Sequence, residues 1–174
     1  MTTRKTIAVL GATRPASAAI VKRLPNKCQS VLAYGDTPDD FQRGHATTQS
    51  TAECIPIECP REACWEADMI VISATHPALN QLAEKIRDVA MGKTVVCLGY
   101  VSPGIAPVAD ELQHMLPYSR IVSCVITVDD RQEKIADGIT TYASISSNDQ
   151  EALEEASQLI EAAGFVPITA AKSA

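Results

Sequence analysis

Short, strongly apolar runs alternate along this chain with segments in which apolar residues recur every three or four positions. The run at 7–10 has no polar residue, and the runs at 69–74 and 94–98 have one each, Ser73 and Thr94; such runs are typical of parallel strands that are buried on both sides. The segment 77–91, between two of these runs, carries its apolar residues at helical spacing. This alternation predicts an α/β fold, with a doubly wound, mostly parallel sheet.

The same reading gives a full set of elements. The predicted strands cover residues 7–10, 30–34, 52–57, 69–74, 94–98, 120–126, 140–146 and 165–168. The predicted helices cover residues 15–24, 60–66, 77–91, 105–115 and 149–163. Thr13 is expected to cap the first helix, and Asn148 with Glu151 is expected to form a capping box on the last. A chain of 174 residues with no repeat and no linker suits a single domain, 1–174.

Charge and hydropathy argue against two classes of binding partner, nucleic acids and membranes. The formal net charge is -6 and no basic stripe is present, which argues against a nucleic-acid partner. No apolar run is long enough to span a membrane, so no membrane partner is expected. Because no signal-peptide pattern precedes the first strand, we expect a cytoplasmic protein.

The six cysteines do not indicate a disulfide framework in a chain this large and apolar. Cys54, Cys59 and Cys64 recur at equal spacing, but this spacing matches neither a zinc pair nor a common ferredoxin pattern. We therefore predict no metal site. Cys97 and Cys124 fall within apolar strands and are predicted to be small core residues.

The first predicted strand leads directly into a candidate binding turn. Gly11 follows the strand at a point where reversal into a helix often needs a glycine backbone, and Pro15 suits the first turn of a helix. We expect the backbone amides of this turn to be unpaired and to converge on one point, which favours a phosphate. The candidate cofactor-binding residues of the turn are Gly11, Ala12, Thr13, Arg14, Pro15 and Ala16.

The glycine pattern of this turn is incomplete. The dinucleotide-binding fingerprint has three glycines, and only Gly11 is present here. Thr13 and Ala16 stand at the later glycine positions in one spacing, and Arg14 and Ser17 stand there in the other. Two interpretations stay open: a turn of Rossmann topology that binds NAD or NADP, and a turn with a structural role only. Arg14 either supplies a cation to the phosphates or fills their place.

Further candidates follow other strands whose carboxyl ends meet at the same sheet edge. Asp36 stands about 25 residues after Gly11, close to the acidic residue that holds the ribose hydroxyls in Rossmann domains. The alternative for Asp36 is the start of a turn. His76 is a candidate for cofactor contact or catalysis, and the alternative is an exposed residue at a helix start. The remaining candidates for cofactor binding at this edge are Ala74, Thr75, Gly99 and Tyr100.

Four stretches together resemble one family. They are IAVLGAT at 7–13, ADMIVISA at 67–74, GKTVV at 92–96 and LIEAAGFVP at 159–167. Their order and spacing are similar to those of the NADP oxidoreductases that depend on the deazaflavin coenzyme. This resemblance implies a Rossmann domain that binds NADP at the first turn. It also implies a second redox-active partner, a deazaflavin, over the nicotinamide, with direct hydride transfer between two stacked rings.

The chain departs from the pattern of that family at the ligand edge. The family keeps glycines where Arg14 and Ser17 stand, carries Ser-Arg or similar residues where Gly35-Asp36 stands, and places an asparagine where Ile126 stands. Three functions therefore stay open: an oxidoreductase that uses a nicotinamide dinucleotide, a Rossmann-type binding or regulatory module without catalysis, and an enzyme of another class that uses the same edge for a different nucleotide or an acyl-phosphate ligand. We also expect a homodimer, since small dinucleotide domains often complete their pocket with a second subunit.

Overall fold

The computed structural model describes residues 5–24, 30–35, 54–74, 76–99, 108–126 and 141–169 of the chain. The strands are β1 (Thr6–Leu10), β2 (Ser30–Tyr34), β3 (Cys54–Pro56), β4 (Met69–Ile72), β5 (Thr94–Gly99), β6 (Arg120–Ile126), β7 (Tyr142–Ser146) and β8 (Val166–Thr169). The helices are α1 (Pro15–Arg23), α2 (Pro60–Glu66), α3 (His76–Ile86), α4 (Val108–Met115) and α5 (Gln150–Ala162).

The strands form one sheet in the order β3-β2-β1-β4-β5-β6-β7-β8. All neighbours from β3 to β6 run parallel. Strand β7 is antiparallel to β6, and β8 is parallel to β7. The prediction of a mostly parallel, doubly wound sheet of Rossmann topology is therefore confirmed. The chain-order progression reverses between β1 and β4, which is where ligands bind in open α/β sheets.

Helices cover both faces of the sheet. Helices α1 and α5 pack on one face, where Ile20 of α1 and Ile160 of α5 join the core. Helices α2, α3 and α4 pack on the other, and Leu79 and Leu112 belong to that second core. Strand β1 contributes to both cores, because successive side chains of a strand point to opposite faces. This explains why its apolar run has no polar interruption.

Two helix caps differ from the sequence prediction. Arg14, not Thr13, stands at the N-cap position of α1, and its side chain forms no capping hydrogen bond. On α5 the cap is Asp149, whose carboxylate accepts a hydrogen bond from the Ala152 amide at 2.9 Å, so the box that starts at Asn148 is wrong by one residue. A tertiary contact accounts for this shift of the cap. The hydroxyl of Ser147 donates to the Ile121 carbonyl and accepts from the Asp149 amide.

The helix predicted over 77–91 ends earlier, at Ile86. The carbonyl of Ile86 accepts from the amides of both Val89 and Ala90, which closes a turn instead of continuing the helix. Val89 is nevertheless buried, so the apolar spacing continues beyond the helix end. Within the described residues, no helix is long and apolar enough to cross a membrane. Those residues also contain no cluster of three or more His, Cys, Asp or Glu residues arranged to hold a metal ion.

The amino end of the sheet is tied to α5 through Glu155. Its carboxylate accepts from the Thr94 hydroxyl at 2.5 Å and from Arg120 Nη2 at 3.3 Å, and it forms an ion pair with Lys5. Burial opposes the charged form, but the hydrogen bonds from Lys5 and Thr94 and the two cations outweigh it and lower the pKa of Glu155. This carboxylate links the starts of β1, β5 and β6 to one helix.

Replacing Glu155 with Gln is expected to lower the free energy of unfolding by about 1–3 kcal/mol at neutral pH, since charge-assisted hydrogen bonds are lost. The pKa of Glu155 is lower in the folded state than in the unfolded state. The stability that its carboxylate contributes is therefore fully present above the unfolded-state pKa and is lost as the pH falls through the folded-state pKa. Urea unfolding at several pH values should show the difference between Glu155→Gln and wild type shrinking in acid. Glu154→Gln, at an exposed carboxylate on the same helix, is the control, and an equal effect of both would contradict the assignment.

Burial raises the pKa of Cys64, Cys97 and Cys124 to about 12 in each case. The thiolate is the reactive form, so these three thiols should resist alkylation in the folded protein. Peptide mapping after brief iodoacetamide treatment should show them labelled only after denaturation, whereas the half-buried Cys54 and Cys59 are accessible in the native state. Native labelling of Cys97 as fast as that of Cys59 would contradict the packing.

Candidate functional site

The carboxyl ends of β1, β2, β4 and β5 meet at one edge of the sheet. Leu10 pairs with Tyr34 on one side and with Ile72 on the other, and Ile72 pairs with Cys97. The turn after β1 therefore emerges between the end of β2 and the end of β4. The structure brings part of the predicted set to this edge: Gly11, Ala12, Thr13, Arg14, Ala16, Ala74 and Gly99.

The other predicted residues are described only in part. Asp36, Thr75 and Tyr100 lie outside the described residues. For Pro15 and His76 the structure describes the backbone, which places them at the first positions of α1 and α3. The roles predicted for these five side chains stay predictions.

Gly11 lets the turn lie directly against the end of β4. Its φ is +77°, and a Cβ atom added to it would lie 1.9 Å from the carbonyl oxygen of Ser73. The Ser73 amide in turn donates to the Leu10 carbonyl at 2.9 Å, which fixes the two strand ends together. The prediction that this position needs a glycine is confirmed, for two separate reasons: backbone conformation and close approach.

The backbone amides of the turn differ from the prediction. Those of Gly11 and Ala12 both donate to the Tyr34 carbonyl at 2.9 Å, and that of Arg14 donates to the Gly11 carbonyl at 3.2 Å. The expectation that the amides of this turn are unpaired is therefore wrong for these three. The neighbouring strand β2 ends with a carbonyl in reach, and it takes two of them. In the part of the chain that the structure describes, the amides of Thr13 and Ser17 have no backbone acceptor.

Ser17 brings an unsatisfied hydroxyl to the start of α1. The residue is 0% exposed, and its Oγ atom has no hydrogen-bond partner among the described residues. It is the third residue of the helix, and helical Cβ atoms tilt toward the N-terminus, which here is the sheet edge. A buried hydroxyl without a partner is unfavourable by about 1–3 kcal/mol, so a group that binds at the helix start would relieve it.

Ser17 entered the sequence prediction only as the residue that stands at a glycine position of the fingerprint, and its own hydroxyl was not predicted to bind anything. A signal for its burial was present, because Ser17 lies three and four positions before Ile20 and Val21, which are on the buried face of α1. Helical spacing therefore places a polar group on an apolar face, directly beside the candidate turn.

Arg14 folds back over the turn. Its Cδ atom lies 3.7 Å from the point that a Cβ atom on Gly11 would occupy, and the Ser73 carbonyl also lies against that point. The Nε atom is buried and the residue as a whole is half-buried. The aliphatic part of this side chain thus lies at the junction of β1 and β4, where the strand order reverses.

The fold is an α/β domain of the Rossmann type. Solved structures share the fold at low sequence identity. Pyrroline-5-carboxylate reductase from Coxiella burnetii matches with a TM-score of 0.70 and 14% identity, over 98% of this chain and 60% of the other. Imine reductase from Bacillus cereus BAG3X2 matches with a TM-score of 0.72 and 19% identity, over 96% and 55%.

A third match is a reductive aminase from Aspergillus terreus, solved in complex with NADPH, with a TM-score of 0.72 and 11% identity over 97% of this chain and 55% of the other. This chain thus spans a little over half the length of these reductases. No family pattern and no curated protein matches the sequence. The fold expected from the sequence resemblance is confirmed, and the deazaflavin-dependent family in particular stays a prediction.

Gly11→Ala is expected to reduce the free energy of unfolding by about 3 kcal/mol or more, because it combines a left-handed backbone with a clash against Ser73. Gly92→Ala is the matched control. Gly92 has a φ of +74° but nothing within 4 Å of an added Cβ atom, so its expected effect is about 1–2 kcal/mol. Urea unfolding of both variants measures the difference, and equal effects would show that the close approach to β4 is absent.

Proposed function

We propose that this chain binds a nicotinamide dinucleotide, NAD or NADP, where the strand order reverses between β1 and β4. We further propose that it is an oxidoreductase that transfers hydride to or from a second redox partner. The observation that carries the binding site is the buried, unpartnered hydroxyl of Ser17 at the start of α1. It lies beside a turn that Gly11 holds against the end of β4. The shared fold with reductases, one of them solved with NADPH, supports the choice of ligand.

The residues at this edge fit the phosphates of such a ligand. The start of α1 carries a partial positive charge, and the amides of Thr13 and Ser17 with the Ser17 hydroxyl are donors for an anion. Among the other candidates, Asp36 would hold ribose hydroxyls, and Ala74, Thr75, His76, Gly99 and Tyr100 would border the nicotinamide side.

When bound, the nicotinamide supplies or accepts the hydride. The residues of this chain bind and orient it, and hydride transfer to a ring stacked on it depends on placement more than on an acid or a base. The sequence resemblance makes a deazaflavin the specific candidate for the second partner. A homodimer, a cytoplasmic location and the extent of the domain over 1–174 remain predictions from the sequence.

A second candidate function is a binding or regulatory module without catalysis. The observation that favours it is the loss of donors in the turn, since the amides of Gly11, Ala12 and Arg14 are bonded internally. Such a module would bind a nucleotide without transferring hydride. Binding and hydride transfer must therefore be measured separately.

We expect thermal-shift titration with NAD, NADH, NADP and NADPH to show stabilisation by at least one of them. A ligand at a hundred times its Kd adds about 2.7 kcal/mol to the stability of the folded state. No shift with any of the four would contradict dinucleotide binding. Loss of NADPH absorbance upon addition of an oxidised deazaflavin would support the oxidoreductase, and binding without turnover of any acceptor tried would favour the module.

Ser17→Ala separates a ligand contact from a structural role. The ligand-free variant should be as stable as wild type or more stable, because an unsatisfied buried hydroxyl is removed. Its affinity for the dinucleotide should fall about 10-fold, as expected for loss of a hydrogen bond to a charged group. Ser157→Ala, which removes a hydroxyl bonded to the Leu153 carbonyl within α5, should leave affinity unchanged. Equal affinities of Ser17→Ala and Ser157→Ala would show that Ser17 does not contact the ligand.

A further inference from the structure

The turn after β1 has few backbone donors to offer an anion. The Tyr34 carbonyl takes the amides of Gly11 and Ala12, the Gly11 carbonyl takes that of Arg14, and Pro15 has no N–H. A glycine at the second fingerprint position lets the pyrophosphate approach the backbone, and this chain has Thr13 or Arg14 there. Beside the Ser17 hydroxyl, the amides of Thr13 and Ser17 are the backbone donors that the described turn leaves for an anion, so a side-chain cation would strengthen phosphate binding here.

Arg14 is placed to supply both. Its side chain folds back across the turn, with Cδ 3.7 Å from the added Cβ position of Gly11 and with a buried Nε. It thereby carries a guanidinium group to the junction of β1 and β4. A guanidinium offers five N–H donors in a planar fork that matches phosphate oxygens.

The net charge of the whole chain is -6. The long-range field of an acidic protein repels a polyanionic ligand, so binding needs a local cation. The amino end of α1 and the Arg14 side chain both carry positive charge beside the turn.

We infer that Arg14 is a phosphate clamp which replaces the missing glycine of the turn, so that the pyrophosphate is held by a side-chain cation instead of by closely approaching backbone. This inference rests on the proposed function for the identity of the whole ligand. It adds that the dominant contact is electrostatic, that inorganic pyrophosphate alone binds at the same place, and that binding weakens as salt screens the charge.

The test is isothermal titration calorimetry of the full chain with two probes, NADPH and inorganic pyrophosphate, at low and at physiological ionic strength. Arg14→Gln should lose about 10- to 100-fold in affinity for both probes, and its affinity should depend less on salt. Arg14→Lys keeps the positive charge but loses the planar fork of donors, so its affinity for both probes should lie between that of wild type and that of Arg14→Gln. Arg87→Gln, which removes an exposed arginine just beyond α3 at the opposite end of the sheet, is the control and should bind like wild type.

Arg14→Gly distinguishes a clamp from an obstruction. If Arg14 holds the phosphate, this variant should bind both probes as weakly as Arg14→Gln. If Arg14 fills the phosphate position, Arg14→Gly should bind more tightly than wild type, and the inference is overturned while the proposed function stands. Urea unfolding of each variant checks that it is folded, and Arg14→Lys provides the comparison if a smaller side chain unfolds the turn.

The two proposals fail in different ways. Binding of pyrophosphate that depends on Arg14, without binding of any dinucleotide, would support the clamp and remove the proposed function. Dinucleotide binding that is equal in wild type and Arg14→Gln would overturn the clamp and leave the proposed function. Absence of binding to both probes in wild type and in every variant would overturn both.

Discussion

The close approach of the β1–α1 turn to the end of β4 is the constraint on which the candidate site depends. A glycine with a left-handed backbone lies so near the Ser73 carbonyl that no side chain fits between them. Because β1 is central in the sheet, with β2 on one side and β4 on the other, this contact also fixes where α1 begins. The start of α1 is thereby held at the reversal of strand order, where α/β sheets bind their ligands.

The same packing limits what the turn can bind. The last carbonyl of β2 accepts two amides of the turn, which makes the turn well bonded but removes donors that a phosphate would otherwise use. The structure leaves polar groups beside the turn in compensation: the buried hydroxyl of Ser17 and the folded-back side chain of Arg14. The same hydrogen bonds thus fix the backbone of the turn and leave side chains as the main groups that can contact a phosphate.

Much of the fold could be predicted from the sequence, because local patterns determine it. The strand predicted over 120–126 has those bounds in the structure, and α1 begins at the predicted Pro15. The cap predicted at Asn148 was wrong because the local conformation depends on a partner distant in sequence, the Ile121 carbonyl that holds Ser147. Hydrophobic spacing cannot show such hydrogen bonds.

The position of the candidate site could be predicted from the sequence, but the hydrogen bonding of its groups could not. The edge itself follows from strand direction, and the need for Gly11 follows from the turn. That Tyr34 would accept two amides depends on the register of β1 with β2, which no motif encodes. The burial of Ser17 follows from helical spacing, but the absence of a partner for its hydroxyl is visible only once the surrounding residues are in place.

The most direct measurement is a ¹⁵N-resolved NMR titration of the full chain with NADPH. If the ligand binds at the start of α1, the amides of Thr13, Arg14 and Ser17 should shift most, and those of Gly92 and Gly164, in turns after α3 and α5, should stay unchanged. Saturable shifts confined to other parts of the sheet, or no shifts at any ligand concentration, would contradict a dinucleotide site at the junction of β1 and β4.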